Sequence, residues 1–173
     1  MTSPGPASGR RIADSGFSDD TGAADPELIA ALASYQGDPG SYPETLAALQ
    51  RSRLLVPVVA MLGEVEYDEQ GLAHDKTSDM AAVLIQGQDG RQGLLAFSGL
   101  ETLRAWNPEA RPVPVTARLA AQAALQDGAA ALVVDLAGPV TFAVEGDDLV
   151  GVAQGWTLAR VGGSWAWIRP ASD

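Results

Sequence analysis

With 173 residues, 46% of them hydrophobic, and no cysteine, the chain suits one domain of ordinary size and excludes disulfide frameworks, thiolate nucleophiles, iron–sulfur clusters and Cys-containing zinc sites. Twenty-two acidic against eleven basic residues give a net charge of −11, which opposes sequence-independent nucleic-acid binding because phosphate contacts need clustered positive charge. Ten of the eleven cations are scattered arginines, so no footprint for DNA or an anionic membrane emerges. Neither a secretory apolar segment nor a run of the ~18 apolar residues of a membrane span occurs, and the expected compartment is the cytoplasm.

Residues 1–24 mix Ser, Gly, Pro, Asp and Ala, with Ile12 and Phe17 as their sizeable apolar anchors. So little burial predicts a flexible tail, followed by a single domain over 25–173. "DPELIAALASYQG" (25–37) starts with Asp25 as N-cap and Pro26 at the first helical position, and it ends on Gly37. Leu28, Leu32 and Tyr35 share one face. In "SYPETLAALQRS", Ser41 and Glu44 have capping-box spacing and open a second helix. "LLVPVVAML" (54–62) is an apolar strand in which Pro57 removes a ladder donor, which points to an edge or a bulge. "GEVEYDEQGLAHDKTS" (63–78) reads as a long exposed connection.

"DMAAVLIQG" and "QGLLAFSG" are apolar runs joined at Asp89-Gly90, the strongest hairpin signal in the chain. "LETLRAW" forms a short helix ended by Asn107-Pro108. "RPVPV" is extended, and "TARLAAQAALQDG" is a helix capped by Thr116 and stopped by Gly128. "AALVVDLAG" and "PVTFAVEG" are two further strands. "DDLVGVAQG" is a helix with carboxylates at its positive end. "WTLARVGGSWAWIRP" is a terminal hairpin turning at Gly162-Gly163, with Trp165 and Trp167 on one side. The predicted class is α+β, a single domain with a mixed β-sheet flanked by helices and a βαβ crossover through 113–135.

Reactive groups are scarce. His74 is the sole histidine and Lys76 the sole lysine, so histidine-based metal sites fail on supply. A Ser-His-Asp relay within 74–79 would crowd nucleophile, base and orienter into one loop, and no GxSxG elbow exists. Lys76 could anchor a carboxylate or phosphate, with the Thr77 and Ser78 hydroxyls nearby. The plainer alternative is a solvated lysine beside Asp75 and Asp79, in pairs worth less than about 1 kcal/mol. Asp135, Glu145, Asp147 and Asp148 could converge on one rim of the sheet and hold magnesium or calcium. Against that, no DxDxDG spacing occurs, and Asp147 and Asp148 are already explained as helix-starting residues. No phosphate-cradling glycine motif is present. No cofactor is expected.

The order "LLVPV", "KTSDMAAVLI", "DGRQGLLAFSG", "W-N-P-E-A-RPVPV", "AAQAAL", "GAAALVVDLAGPV" and "VEGDDL", across 53–155, resembles the SseB (enhanced serine sensitivity) family, and within it the actinobacterial single-domain members. The resemblance implies a cytosolic α+β unit with a mixed sheet and carries over no reaction, cofactor or catalytic residue. The matching motif positions are Lys76, Ser78 and Asp79, Asp89 to Arg91, Trp106, Arg111 to Val115, Asp135 with Gly138-Pro139, and Glu145 to Leu149. The chain departs from longer members in having a tryptophan hairpin where a second family domain would follow.

The expected function is therefore a non-enzymatic binding or regulatory module, with a homodimer among the expected arrangements, engaging a protein or a small anionic ligand and binding neither nucleic acid nor membrane. The expected binding residues are Lys76, Thr77, Ser78, Asp79, Arg91, Trp106, Arg111, Asp135, Glu145, Asp147 and Asp148. Two alternatives stand beside it. One is an enzyme using Lys76 with Asp79 and Asp135; the other is an assembly protein pairing through an exposed strand at 54–60.

Overall fold

The computed structural model describes residues 16–60, 66–67, 73–74 and 80–172. Helix α1 (Pro26–Gly37) is capped by Asp25, whose side chain accepts from the Glu27 N–H. A 3₁₀ turn (Pro39–Ser41) runs directly into α2 (Tyr42–Arg51). The capping box expected at Ser41 does not form, because the Ser41 hydroxyl donates back to the Asp38 carbonyl within that turn.

Strand β1 (Arg53–Ala60) follows, then the two-residue ladder of β2 (Glu66–Tyr67) and β3 (Ala73–His74). His74 thus stands in a strand, not in the exposed connection expected over 63–78, most of which lies outside the described residues. Next come β4 (Met80–Ala82), β5 (Leu84–Gln86) and β6 (Gln92–Ala96), then α3 (Leu100–Trp106), β7 (Arg111–Thr116) and α4 (Ala117–Gln126). Strands β8 (Ala131–Val134) and β9 (Phe142–Glu145), helix α5 (Gly146–Ala153) and the hairpin β10 (Thr157–Val161) and β11 (Ser164–Ile168) complete the chain. Gly162 and Gly163 both have positive φ, as a two-residue hairpin turn of the primed type requires.

The central sheet runs β5-β6-β8-β9 and is mixed: β6 and β8 are parallel, and the other pairs are antiparallel. The βαβ unit expected through 113–135 does not form, since β7 and β8 lie in different sheets; the parallel crossover starts earlier, at β6. It leaves β6, passes through α3, β7 and α4, and returns as β8, with β7 spent in the second sheet, β4-β1-β7. Side chains alternate across the pleat. Leu94, Leu132, Val134, Phe142 and Val144 bury one face under α1, α2, α4 and α5, whose Leu28, Leu46, Leu49, Ala121, Ala124, Leu149 and Val152 complete the main core. Leu95 and Phe97 point the other way and form a smaller core with Leu55 and with Leu103 of the short α3.

Strand β1 is central, not an edge. It pairs with β7 along 53–58 and with β4 along 58–60. Leu55 exchanges both backbone hydrogen bonds with Phe97 (2.8 Å each), so its N–H points away from β7. By the antiparallel alternation the missing N–H of Pro57 faces the same side, where the partner changes from Phe97 to β4. Opposite Pro57 and Leu55 stand Pro112 and Pro114, whose missing donors face the outer edge of β7. The apolar run at 54–60 is therefore not open for edge pairing, and the edge that β7 does present is blunted by two prolines.

The chain before α1 also departs from expectation. Residues 16–24 dock on the domain instead of trailing from it. Arg53 forms a two-point ion pair with Asp20 and donates to the carbonyls of Ala23 (2.6 Å) and Ser98 (3.0 Å). The Leu100 N–H donates to the Gly22 carbonyl at 2.8 Å. A count of apolar anchors misses a segment held by polar contacts; residues 1–15 lie outside the described residues.

Candidate functional site

Asp135 directly follows strand β8 and has φ +57, the left-handed conformation that Asp tolerates better than most residues. The side chain is buried, at 2% exposure. Its carboxylate accepts from the Ser98 N–H (2.8 Å), the Ser98 hydroxyl (2.6 Å) and the Thr102 hydroxyl (2.7 Å). Three neutral donors thus satisfy the buried carboxyl oxygens and tie the end of β8 to the turn between β6 and α3. Beside it, between α1 and α3, lies a hollow of about 240 Å³ lined by Ile29, Leu32, Gln36, Thr102 and Pro139. Asp135 is committed to joining elements.

At the other end of the sheet, the β5–β6 turn holds Asp89 and Arg91. One Asp89 oxygen accepts from the Arg91 N–H at 3.0 Å and the other from Arg91 Nε at 2.6 Å. This hydrogen bond holds the Asp89 carboxyl below its ordinary range and the Arg91 guanidinium above its own. Arg91 also reaches Glu145 at 3.6 Å, both side chains being about half exposed. The turn closes through Gly87 N–H to the Arg91 carbonyl (2.8 Å), with Gly90 at φ +83. It is a longer loop than a two-residue Asp-Gly turn.

The expected meeting of Asp135 with Glu145, Asp147 and Asp148 does not occur. Ala131 pairs with Glu145 and Val134 with Phe142, so Asp135 and Glu145 sit at opposite ends of the strand pair, about 13 Å apart at ~3.3 Å per residue. Antiparallel neighbours put the start of one strand beside the end of the other. Asp147 is exposed in the first turn of α5. Asp148 accepts from the Trp167 indole N–H at 3.0 Å. Tyr42 is pushed well above the ordinary phenol range, first by burial and then by the charge and hydrogen bond of Asp148. Asp148 thereby pins the terminal hairpin to α5 and α2. Among the described residues no group of three His, Cys, Asp or Glu side chains could hold a metal ion.

Arg91 and Glu145 are the two expected binding residues that the fold does bring together. With Asp89 they rim an open hollow of about 360 Å³ floored by Ile85, Gly93, Ala131 and Val133, on the sheet face that α3 leaves uncovered. A Cβ at position 93 would stand 2.8 Å from a Val133 methyl, so the floor there admits only glycine. Trp106 lies on the same face but packs on Phe97, 5.6 Å between ring centroids, in the smaller core. Arg111 is exposed at the start of β7. Lys76, Thr77, Ser78 and Asp79 lie outside the described residues.

The SseB protein N-terminal domain matches residues 27–150. The chain belongs to the SseB family. No curated protein and no solved structure matches it. The SseB match reaches further toward the N-terminus than the resemblance read over 53–155, taking in α1 and α2, whose leucines cover the sheet. Both the Asp135 cluster and the Arg91–Glu145 hollow fall within the SseB span. Sequence reasoning missed Ser98 and Thr102 as partners of Asp135. Their signal is a serine just before "GLETL" and a threonine within it, the polar pattern of a helix opening.

Proposed function

We propose that this SseB-family chain is a non-enzymatic, cytoplasmic binding or regulatory module, and that it holds a protein partner on the uncovered half of its mixed sheet. One observation carries the reading. Seven-residue α3 covers Leu95 and Phe97, while Ile85, Gly93, Ala131 and Val133 beyond it floor an open hollow. Apolar sheet surface next to a polar rim is the usual build of a protein contact. The rim bears two carboxylates, Asp89 and Glu145, to one guanidinium, on a chain of net charge −11. It favours a segment that offers an apolar side chain with a basic residue beside it. Asp135, which the enzyme alternative needs beside Lys76 and Asp79, is spent on holding elements together.

Ala143 pairs with Val133 on the same face and is exposed, so Ala143→Arg obstructs the surface without touching the core. Affinity capture from native cytosol is expected to retain a partner with the wild type and lose it with Ala143→Arg and with Glu145→Lys. An identical profile for all three proteins would remove the sheet face as the contact. Turnover of a metabolite that vanishes with Lys76→Ala would overturn the non-enzymatic reading.

A further inference from the structure

On the helical side of the sheet, α2 ends at Arg51, α4 carries Arg118 in its first turn, and α5 ends at Ala153 just before the terminal hairpin. Between them opens a hollow of about 320 Å³ lined by Arg51, Arg118, Ala47, Val152, Trp156 and Leu158. Its wall is fixed: the Gln50 side chain donates to the Trp156 carbonyl at 2.7 Å and accepts from the Leu158 N–H at 3.1 Å. Gly155, at φ +73, lets the chain turn there, and a Cβ on it would meet Arg118 Cζ at 3.1 Å. The guanidinium therefore lies close against the glycine.

Both arginines are exposed and only weakly engaged within the chain, which leaves their donors open to a ligand. The first turn of a helix is the positive end of its dipole, where a cation is disfavoured, and α4 has no acidic residue there to offset Arg118. Of its five N–H donors, Nε reaches the Ala153 carbonyl at a long 3.4 Å, an acceptor that Gln122 already serves at 3.0 Å. Arg51 meets Glu27 at 3.7 Å with both side chains largely exposed, a weak pairing. A third guanidinium, Arg169, sits 4.3 Å from the Trp156 ring centroid.

We propose that this hollow binds an organic anion: a carboxylate, gripped by Arg51 and Arg118, on a flat apolar body that lies along Ala47, Val152, Leu158 and Trp156. A guanidinium fork matches a carboxylate at two points, and the hollow is of ligand-site size. The net charge of −11 is no barrier. At physiological salt the screening length is about 8 Å, whereas Asp127 lies about 14 Å along α4 from Arg118 and Asp147 about 9 Å along α5 from Ala153. Glu27, 3.7 Å from Arg51, lies inside that length and offsets part of its charge, which leaves two lining guanidiniums to one carboxylate. The site is on the opposite side of the sheet from the proposed partner surface and stands or falls independently of it.

Amide NMR titration of the intact chain with benzoate, acetate and benzylamine tests the assignment. Benzoate is expected to shift Gly155, Trp156 and Leu158 saturably, acetate to bind roughly tenfold more weakly, and benzylamine to leave these signals in place. Arg118→Gln and Arg51→Gln each replace an exposed side chain and are expected to keep the fold while weakening benzoate by about tenfold. Arg118→Lys keeps the charge but loses the fork, and a threefold or greater weakening is expected. Ala143→Arg should leave benzoate binding unchanged. Absence of saturable shifts at the three amides, or unchanged affinity in both glutamine variants, would overturn the site. Acetate binding as tightly as benzoate would overturn the apolar body.

Discussion

Asp135 is where one side chain decides most. It is buried, left-handed in backbone, and carries three hydrogen bonds to residues 33 and 37 positions away. Asp135→Ala would strand the Ser98 N–H and put a Cβ-bearing residue with no local polar group into an unfavourable conformation. A loss of about 3 kcal/mol in urea unfolding is expected. Asp135→Asn keeps an acceptor and tolerates the backbone, so about half that loss is expected. Equal losses would mean that charge, not geometry, carries the contribution. Tyr42 supplies a pH signature. Its folded phenol holds its proton more tightly than the unfolded one, whose value is near 10. Its contribution is therefore complete below pH ~10 and is lost as pH rises beyond, at no more than about 1.4 kcal/mol per pH unit. Denaturant midpoints between pH 9 and 11 are expected to fall more steeply in the wild type than in Tyr42→Phe. Asp135 is visible in the sequence as a strand-end acid, but its partners are not: the alternation of a strand says which way a side chain points, and only the register says what it meets.

At the scale of the element, periodicity and punctuation reveal most of the pieces. Asp25-Pro26, Thr116 and the Gly162-Gly163 turn act where the sequence places them, since caps and tight turns are local physics. Pro57 misleads because a proline states only that a donor is missing. It does not state which side of the strand lacks it, and a central strand accommodates it where its neighbour changes from Phe97 to β4. Pro112 and Pro114 are the pair that guard an edge. Replacing both with valine restores two outward donors to an exposed strand of high β-propensity. The double variant is expected to show light scattering that rises with concentration beyond that of the wild type. Scattering identical to the wild type would mean that another feature protects β7.

At the scale of the molecule, the fold class follows from the order of elements, whereas the limits of the domain do not. Residues 16–24 offer Phe17 as their one sizeable apolar side chain, yet the Asp20–Arg53 pair that holds them is 12–13% exposed. Breaking a largely buried pair leaves its other half uncompensated, so Arg53→Gln is expected to cost about 3 kcal/mol. The double variant with Asp20→Asn should cost less than the sum of the singles, read from a double-mutant cycle of unfolding free energies. The convergence of acids was illegible for a related reason, since it depends on the direction in which β9 runs beside β8.

Residues 80–86 lend one stretch of backbone to both sheets, with Ala81 opposite Val59 and Val83 accepting from Leu95. Peeling that stretch away uncovers amides on both sides at once. Val59 and Leu95, though far apart in the chain, should then trade their protons with heavy water through a shared fluctuation, so that the two layers breathe as one body.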